Sequence, residues 1–122
     1  MDTHPDHERS IDLYYKAKEL LASGDTSQAI ACLKDSWAIA PHANTAFTLG
    51  TSLHSLSEIA QAHEWIAMAY QLNPRNSMIA TAHARSLLEQ GQTPQARDLL
   101  RTILNHTPTY GPAKQLLEAL QP

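Results

Sequence analysis

The chain has 122 residues, of which 43% are hydrophobic and 17% charged, and a net charge of −3 with histidine neutral. That length fits one domain with a real core, and the composition is that of an ordinary globular chain. Lys and Arg are scattered, so the chain has no field to hold nucleic acid or an anionic membrane, and neither is expected as a partner.

Cys32 is the one cysteine, which excludes an internal disulfide and leans towards a reducing compartment. The start, "MDTHPDHERS", is acidic and polar and lacks the apolar centre of a signal peptide. No apolar run approaches the ~18 residues of a membrane span. A cytoplasmic protein without membrane insertion is expected. One Phe, sparse β-branched residues and abundant Ala, Leu and Gln favour helix.

Helices follow in chain order. Ile11, Leu13, Ala17, Leu20 and Leu21 recur at helical spacing, with Ser10 as a candidate cap. After Gly24, Asp25 or Thr26 can cap a second helix that runs to about Ile39, where Pro41 blocks continuation. Leu49, Gly50, Leu53 and Leu56 mark a third helix. Ala62, Ile66, Ala69 and Leu72 mark a fourth, ended by Asn73 and Pro74. Ile79, Ala80, Ala84, Leu87 and Leu88 give a fifth. Thr93 as cap with Pro94 behind it opens a sixth, carried by Ala96, Leu99, Leu100 and Ile103 to Pro108. A seventh spans about Gly111 to Leu120 with Leu116, Leu117 and Leu120.

The elements repeat. Ala17, Gly50 and Ala84 correspond, as do Leu20, Leu53 and Leu87; Ala29, Ala62 and Ala96; Leu33, Ile66 and Leu100; and Pro41, Pro74 and Pro108. Small residues sit where paired helices cross, larger ones fill the space between, and Pro marks the exit. One such hairpin cannot bury its apolar stripe alone, and stacked neighbours can.

This pattern resembles the tetratricopeptide repeat, W-x2-L-G-x2-Y, then A-x3-F, then P. The second unit reads Ala46-x2-Leu49-Gly50-x2-Leu53, Ala62-x3-Ile66, Pro74; the third reads Ala80-x2-His83-Ala84-x2-Leu87, Ala96-x3-Leu100, Pro108. The first reads Leu13-x2-Lys16-Ala17-x2-Leu20, Ala29-x3-Leu33, Pro41. The large aromatic at the first motif position is missing, and His83 stands where an apolar residue is usual. The resemblance implies an all-α fold, a right-handed superhelical solenoid of three helix-turn-helix repeats at about 10–42, 43–76 and 77–110. A capping helix at 111–121 would close it, and residues 1–8 would be a flexible tail before a single domain of 9–122.

In such arrays the first helix of each repeat lines a concave groove that takes partner segments. Carried over position by position, the groove residues are Tyr14 and Lys18; Phe47, Thr51 and His54; and Met78, Thr81, Arg85 and Glu89. Tyr14 and Phe47 are aromatic anchors, and Lys18 and Arg85 suit a carboxylate. Co-chaperones of this family grip acidic chaperone tails with a clamp of Lys, Asn and Arg. The matching positions here hold Tyr14, Lys18, Thr48, Met78 and Ala82, so that clamp is not expected.

The seven histidines, among them His4, His7, His54, His63 and His83, lack the Cys partners and spacing of a zinc site, and no cofactor or metal is expected. His83 is a candidate buried titrating group. "TLGTSLHS" has Ser and His on one helix with no orienting acid, and no phosphate loop exists, so no enzyme is expected. Trp65 is either an exposed convex contact or half-buried against a neighbouring helix, and Cys32 holds the equivalent place one repeat earlier. The expected function is a protein-interaction module. The alternatives are a dedicated secretion or assembly chaperone for one client, or a structural subunit of a homo-oligomer or larger complex, bound by its convex face or its ends, where the amphipathic "QLLEAL" could dock on a second copy.

Overall fold

A computed structural model describes residues 5–120, and these form seven helices with no strand among them. They are α1 (Pro5–Ala22), α2 (Thr26–Ile39), α3 (Ala43–Ser55), α4 (Ile59–Leu72), α5 (Ser77–Glu89), α6 (Thr93–His106) and α7 (Gly111–Ala119). The helices expected from the apolar periodicity are all present.

The repeat is visible in the backbone of three turns. At Gly24, Ser57 and Gly91 the chain takes a positive φ of 85°, 65° and 79°. Each turn closes its helix with the same two bonds. Gly24 N–H donates to Leu21 O and Asp25 N–H to Leu20 O; Ser57 to His54 and Glu58 to Leu53; Gly91 to Leu88 and Gln92 to Leu87. This is the Schellman arrangement, which satisfies the last carbonyls of a helix and needs a left-handed residue. Two repeats use glycine there, and the middle one uses a serine.

The starts of the helices differ more from expectation. α1 opens at Pro5, whose fixed φ suits a first turn, and Asp6 and Glu8 face the positive helix end. Residues 5–8 are therefore helix and not the expected tail; the rest of that tail, with His4, lies outside the described residues. Ser10 is not a cap. It lies inside α1 and is buried, because its hydroxyl is used across the hairpin. Asp25 does cap α2, its Oδ1 accepting from Gln28 N–H at 3.4 Å. α6 begins at Thr93 itself, so Thr93 is not its cap; Gln92 precedes it without a side-chain bond, and Pro94 sits in the first turn.

The chain divides into two compact units, one ending at Leu72 and one starting at Asn73. In the first, α1 pairs with α2, α3 with α4, and α2 packs on α3. Its core is Ala17, Ala29, Ile30, Leu33, Leu49, Leu53 and Ala62. Leu33 and Leu49 are fully buried, each contributing roughly 1.5–3 kcal/mol by leaving water. The α3–α4 crossing is close at Gly50, where a β-carbon would lie 2.6 Å from Ile66 Cδ1. Trp65 is half-buried and meets Trp37 of α2 edge-to-face, with ring centroids 5.1 Å apart.

In the second unit α5 packs on α6 and α6 on α7. Ile79, Ala80, Ala84, Ala96, Leu100, Ile103 and Ala113 are buried. Asn76 caps α5 through Oδ1, which accepts from Ile79 N–H at 3.0 Å. Arg97 of α6 donates to Leu120 O at 3.3 Å and so places a cation at the carbonyl end of α7. Leu116, Leu117 and Leu120 are half-buried, and the exposed residues of α7 are Pro112, Lys114, Gln115, Glu118 and Ala119. α7 thus keeps its leucines away from open solvent and turns mainly polar residues outward.

No helix among the described residues is long and apolar enough to cross a membrane.

Candidate interaction surface

The first helices carry the residues that sequence singled out. On α1, Tyr14 is half-buried against the core. Its ring makes an edge contact with Tyr15, centroids 5.3 Å apart at 77°, and Lys18 Nζ lies 5.9 Å from its centroid. Neighbours on one helix thus restrain the Tyr14 ring. On α3, Phe47 is half-buried and Thr51 and His54 are exposed, Thr51 Oγ1 donating to Thr48 O at 3.1 Å.

In the second unit Met78 is 50% exposed, and Arg85 and Glu89 are exposed. Thr81 departs from expectation. It holds the position of Tyr14 and Phe47 but is only 1% exposed, so it offers no surface to a partner. A threonine is too short to reach solvent where an aromatic can. Its Oγ1 finds no hydrogen-bond partner among the described residues. His83, one turn from Met78, is partly buried, and desolvation pushes its imidazole below the ordinary histidine pKa.

Sequence reasoning missed one feature. The amino-terminal half of α1, the end of α2 with Pro41, and the first turn of α3 enclose a cavity of about 400 Å³. Ser10, Ser36 and Thr45 are its buried residues, while Ile11 and Tyr15 are 42% and 61% exposed at its edge. Ile11 was expected among the core-facing apolar residues. A signal was present: Ile11 and Tyr15 are four apart on a line separate from the stripe of Leu13, Ala17 and Leu20. His42 caps α3 there, its Nδ1 accepting from Asn44 N–H at 3.1 Å. That bond puts the proton of the neutral ring on Nε2.

Among the described residues no group of three or more His, Cys, Asp or Glu is arranged to hold a metal ion.

This architecture is the tetratricopeptide-repeat fold: three helical hairpins followed by a capping helix. Solved structures carry the comparison. The chain superposes on an Arabidopsis OM64 TPR domain with a TM-score of 0.82 at 15% identity, covering 95% of this chain and 97% of that one. The second TPR domain of human RPAP3, in complex with the HSP70 peptide SGPTIEEVD, gives 0.81 at 16% identity, over 93% and 96%. The first TPR of Spaghetti (RPAP3), bound to the HSP90 peptide SRMEEVD, gives 0.80 at 16% identity, over 92% of each chain. Identities this low speak for the fold alone. No protein-family model matches the sequence, and no curated protein does.

Proposed function

We propose that the chain is a non-enzymatic protein-interaction module, an adaptor or scaffold that takes a peptide or helical segment of a partner against the first helices of its repeats. The observation that carries this reading is the pair Tyr14 and Phe47. Both are large aromatics at one repeat position, both are half-buried, and exposed polar residues (Lys18, Thr51 and His54) flank them. Aromatics held this way dominate binding energy when a partner covers them. Two structural neighbours hold peptides on the same fold.

Their peptides end in acidic residues, and here the analogy stops. The clamp positions hold Tyr14, Lys18, Thr48, Met78 and Ala82, with one cation and no asparagine. Thr48 is also buried. The ligand we favour is therefore held by side-chain anchors and not by its terminal carboxylates.

The test is a pull-down from native lysate with the wild-type chain beside a Tyr14→Ala/Phe47→Ala/Arg85→Ala variant, read by mass spectrometry. A protein captured by the first and lost by the second supports the reading. Identical capture by both, with helicity unchanged, would remove these faces from the interface.

A further inference from the structure

We infer that the cavity between α1, the end of α2 and the start of α3 is an anchor subsite for one uncharged aromatic or large aliphatic side chain of the partner segment. This rests on the reading that the chain binds such a segment. It assigns a new place to the contact and a chemistry to what fills it.

The chemistry follows from the lining. Among the described residues that line the cavity there is no Asp, Glu, Lys or Arg, and its two histidines, His7 and His42, are exposed and stand at the rim. Its sides are Ile11, Tyr14, Tyr15 and Pro41, which offer apolar and aromatic surface. At its base, Ser36 Oγ donates to Ser10 O at 2.7 Å and Ser10 Oγ donates to Ser36 O at 2.9 Å. The two hydroxyl oxygens are 3.0 Å apart, yet both hydrogens are already used. The serine floor has no hydroxyl hydrogen left to offer a ligand oxygen. A carboxylate placed on that floor would lose its water and gain no hydrogen bond from the hydroxyls, a heavy cost in a partly enclosed site. An apolar side chain loses nothing by the same move and gains the burial of its surface.

Size and rim agree with this occupant. A cavity of roughly 150 Å³ already admits benzene, so about 400 Å³ takes one ring together with the backbone that carries it. The exposed groups at the rim, His7, His42 with its Nε2–H and the Asn44 side chain, carry N–H donors suited to the carbonyls of an extended peptide. Ile11 and Tyr15 are exposed large hydrophobics with the cavity between them and the serine floor, as an unfilled subsite requires.

The experiment is selection of a random twelve-residue peptide library displayed on phage against the full chain. Binding of the enriched peptides is then measured to wild type, Ile11→Asp, Tyr15→Asp and Phe47→Ala. Ile11 and Tyr15 are exposed, so their replacement leaves the fold intact, and circular dichroism verifies it. We expect enriched peptides to share one aromatic or large aliphatic residue without a required acid. Ile11→Asp or Tyr15→Asp should weaken them at least tenfold, and replacing the shared residue by Asp should do the same. Amide shifts of Ile11, Asn44 and Thr45 should move when peptide is added to labelled protein. Peptides that bind wild type, ignore both Asp variants and are lost with Phe47→Ala would overturn the subsite and leave the interaction module standing. Peptides that need a carboxylate and shift the same amides would overturn its apolar assignment. No enrichment of any peptide would overturn both.

Discussion

Ser10 and Ser36 lie 26 residues apart, both buried, and each gives its hydroxyl hydrogen to the other's main-chain carbonyl, at 2.9 and 2.7 Å. The pair fastens α1 to α2 at the open end of their hairpin. Each side chain both donates and sits against its partner's oxygen, so the two act as a unit. Ser10→Ala and Ser36→Ala should each cost about 1–2 kcal/mol in urea unfolding. The double variant tests the one contact the side chains share, their hydroxyl oxygens 3.0 Å apart, and its cost should depart from the sum by about 0.5 kcal/mol or more. Strict additivity would show that the hydroxyls act separately.

Gly50 marks a close crossing of α3 and α4. A β-carbon there would meet Ile66 Cδ1 at 2.6 Å, Cγ1 at 2.7 Å and Ala62 O at 3.2 Å. Ile66 is only 6% exposed and has little room to turn away. Gly50→Ala should destabilise by about 1–3 kcal/mol in spite of alanine's better helix propensity. Ile66→Val in the Gly50→Ala background should be less costly than in wild type. A neutral or stabilising Gly50→Ala would show that the helices part without cost.

Ser57 takes the left-handed conformation that glycine takes in the other two repeats, with φ 65°. A side chain in that region costs on the order of 1 kcal/mol, and glycine escapes it. Ser57→Gly should raise stability by up to about 1 kcal/mol, part being lost to the freer unfolded chain. A lower thermal midpoint for Ser57→Gly would mean that the serine side chain contributes something the turn geometry does not account for.

His83 gives stability a pH dependence of known sign. Burial disfavours its charged form, so its pKa in the folded chain is lowered. The unfolded chain then binds more protons in the window from the ordinary value of about 6.5 downward. The contribution of this residue is complete above about pH 6.5 and is lost as pH falls through the lowered pKa. His83→Leu, which restores an apolar residue at the position of Leu49, should lose less stability between pH 7.5 and pH 5 than wild type. Parallel losses in urea midpoint would assign the dependence to other groups.

The helices and their pairing were legible because a few strong signals recur in register. Gly24 and Gly91 need the left-handed turn, Pro41, Pro74 and Pro108 forbid continuation, and Ala29, Ala62 and Ala96 mark the close crossings. Helix starts were less legible. Ser10 carries a capping side chain, but a serine hydroxyl bonds as well across a hairpin as along a turn, and only the fold supplies Ser36. Thr81 shows the same limit on the surface: its position is that of Tyr14 and Phe47, yet its size leaves it buried. The cavity was beyond reach because its lining joins residues of α1 to residues 40–45, and no local pattern spans that distance.

The edge-to-face pair of Trp37 and Trp65 has an optical consequence. These are the chain's two tryptophans, and both belong to the unit that ends at Leu72. Indole emission therefore reports on α1–α4 alone, while far-ultraviolet dichroism sums the helices of both units. The two rings lie 5.1 Å apart in a fixed edge-to-face arrangement, so the near-ultraviolet tryptophan bands also report on the first unit. A single denaturation series followed at these wavelengths separates the melting of the two units without any added label.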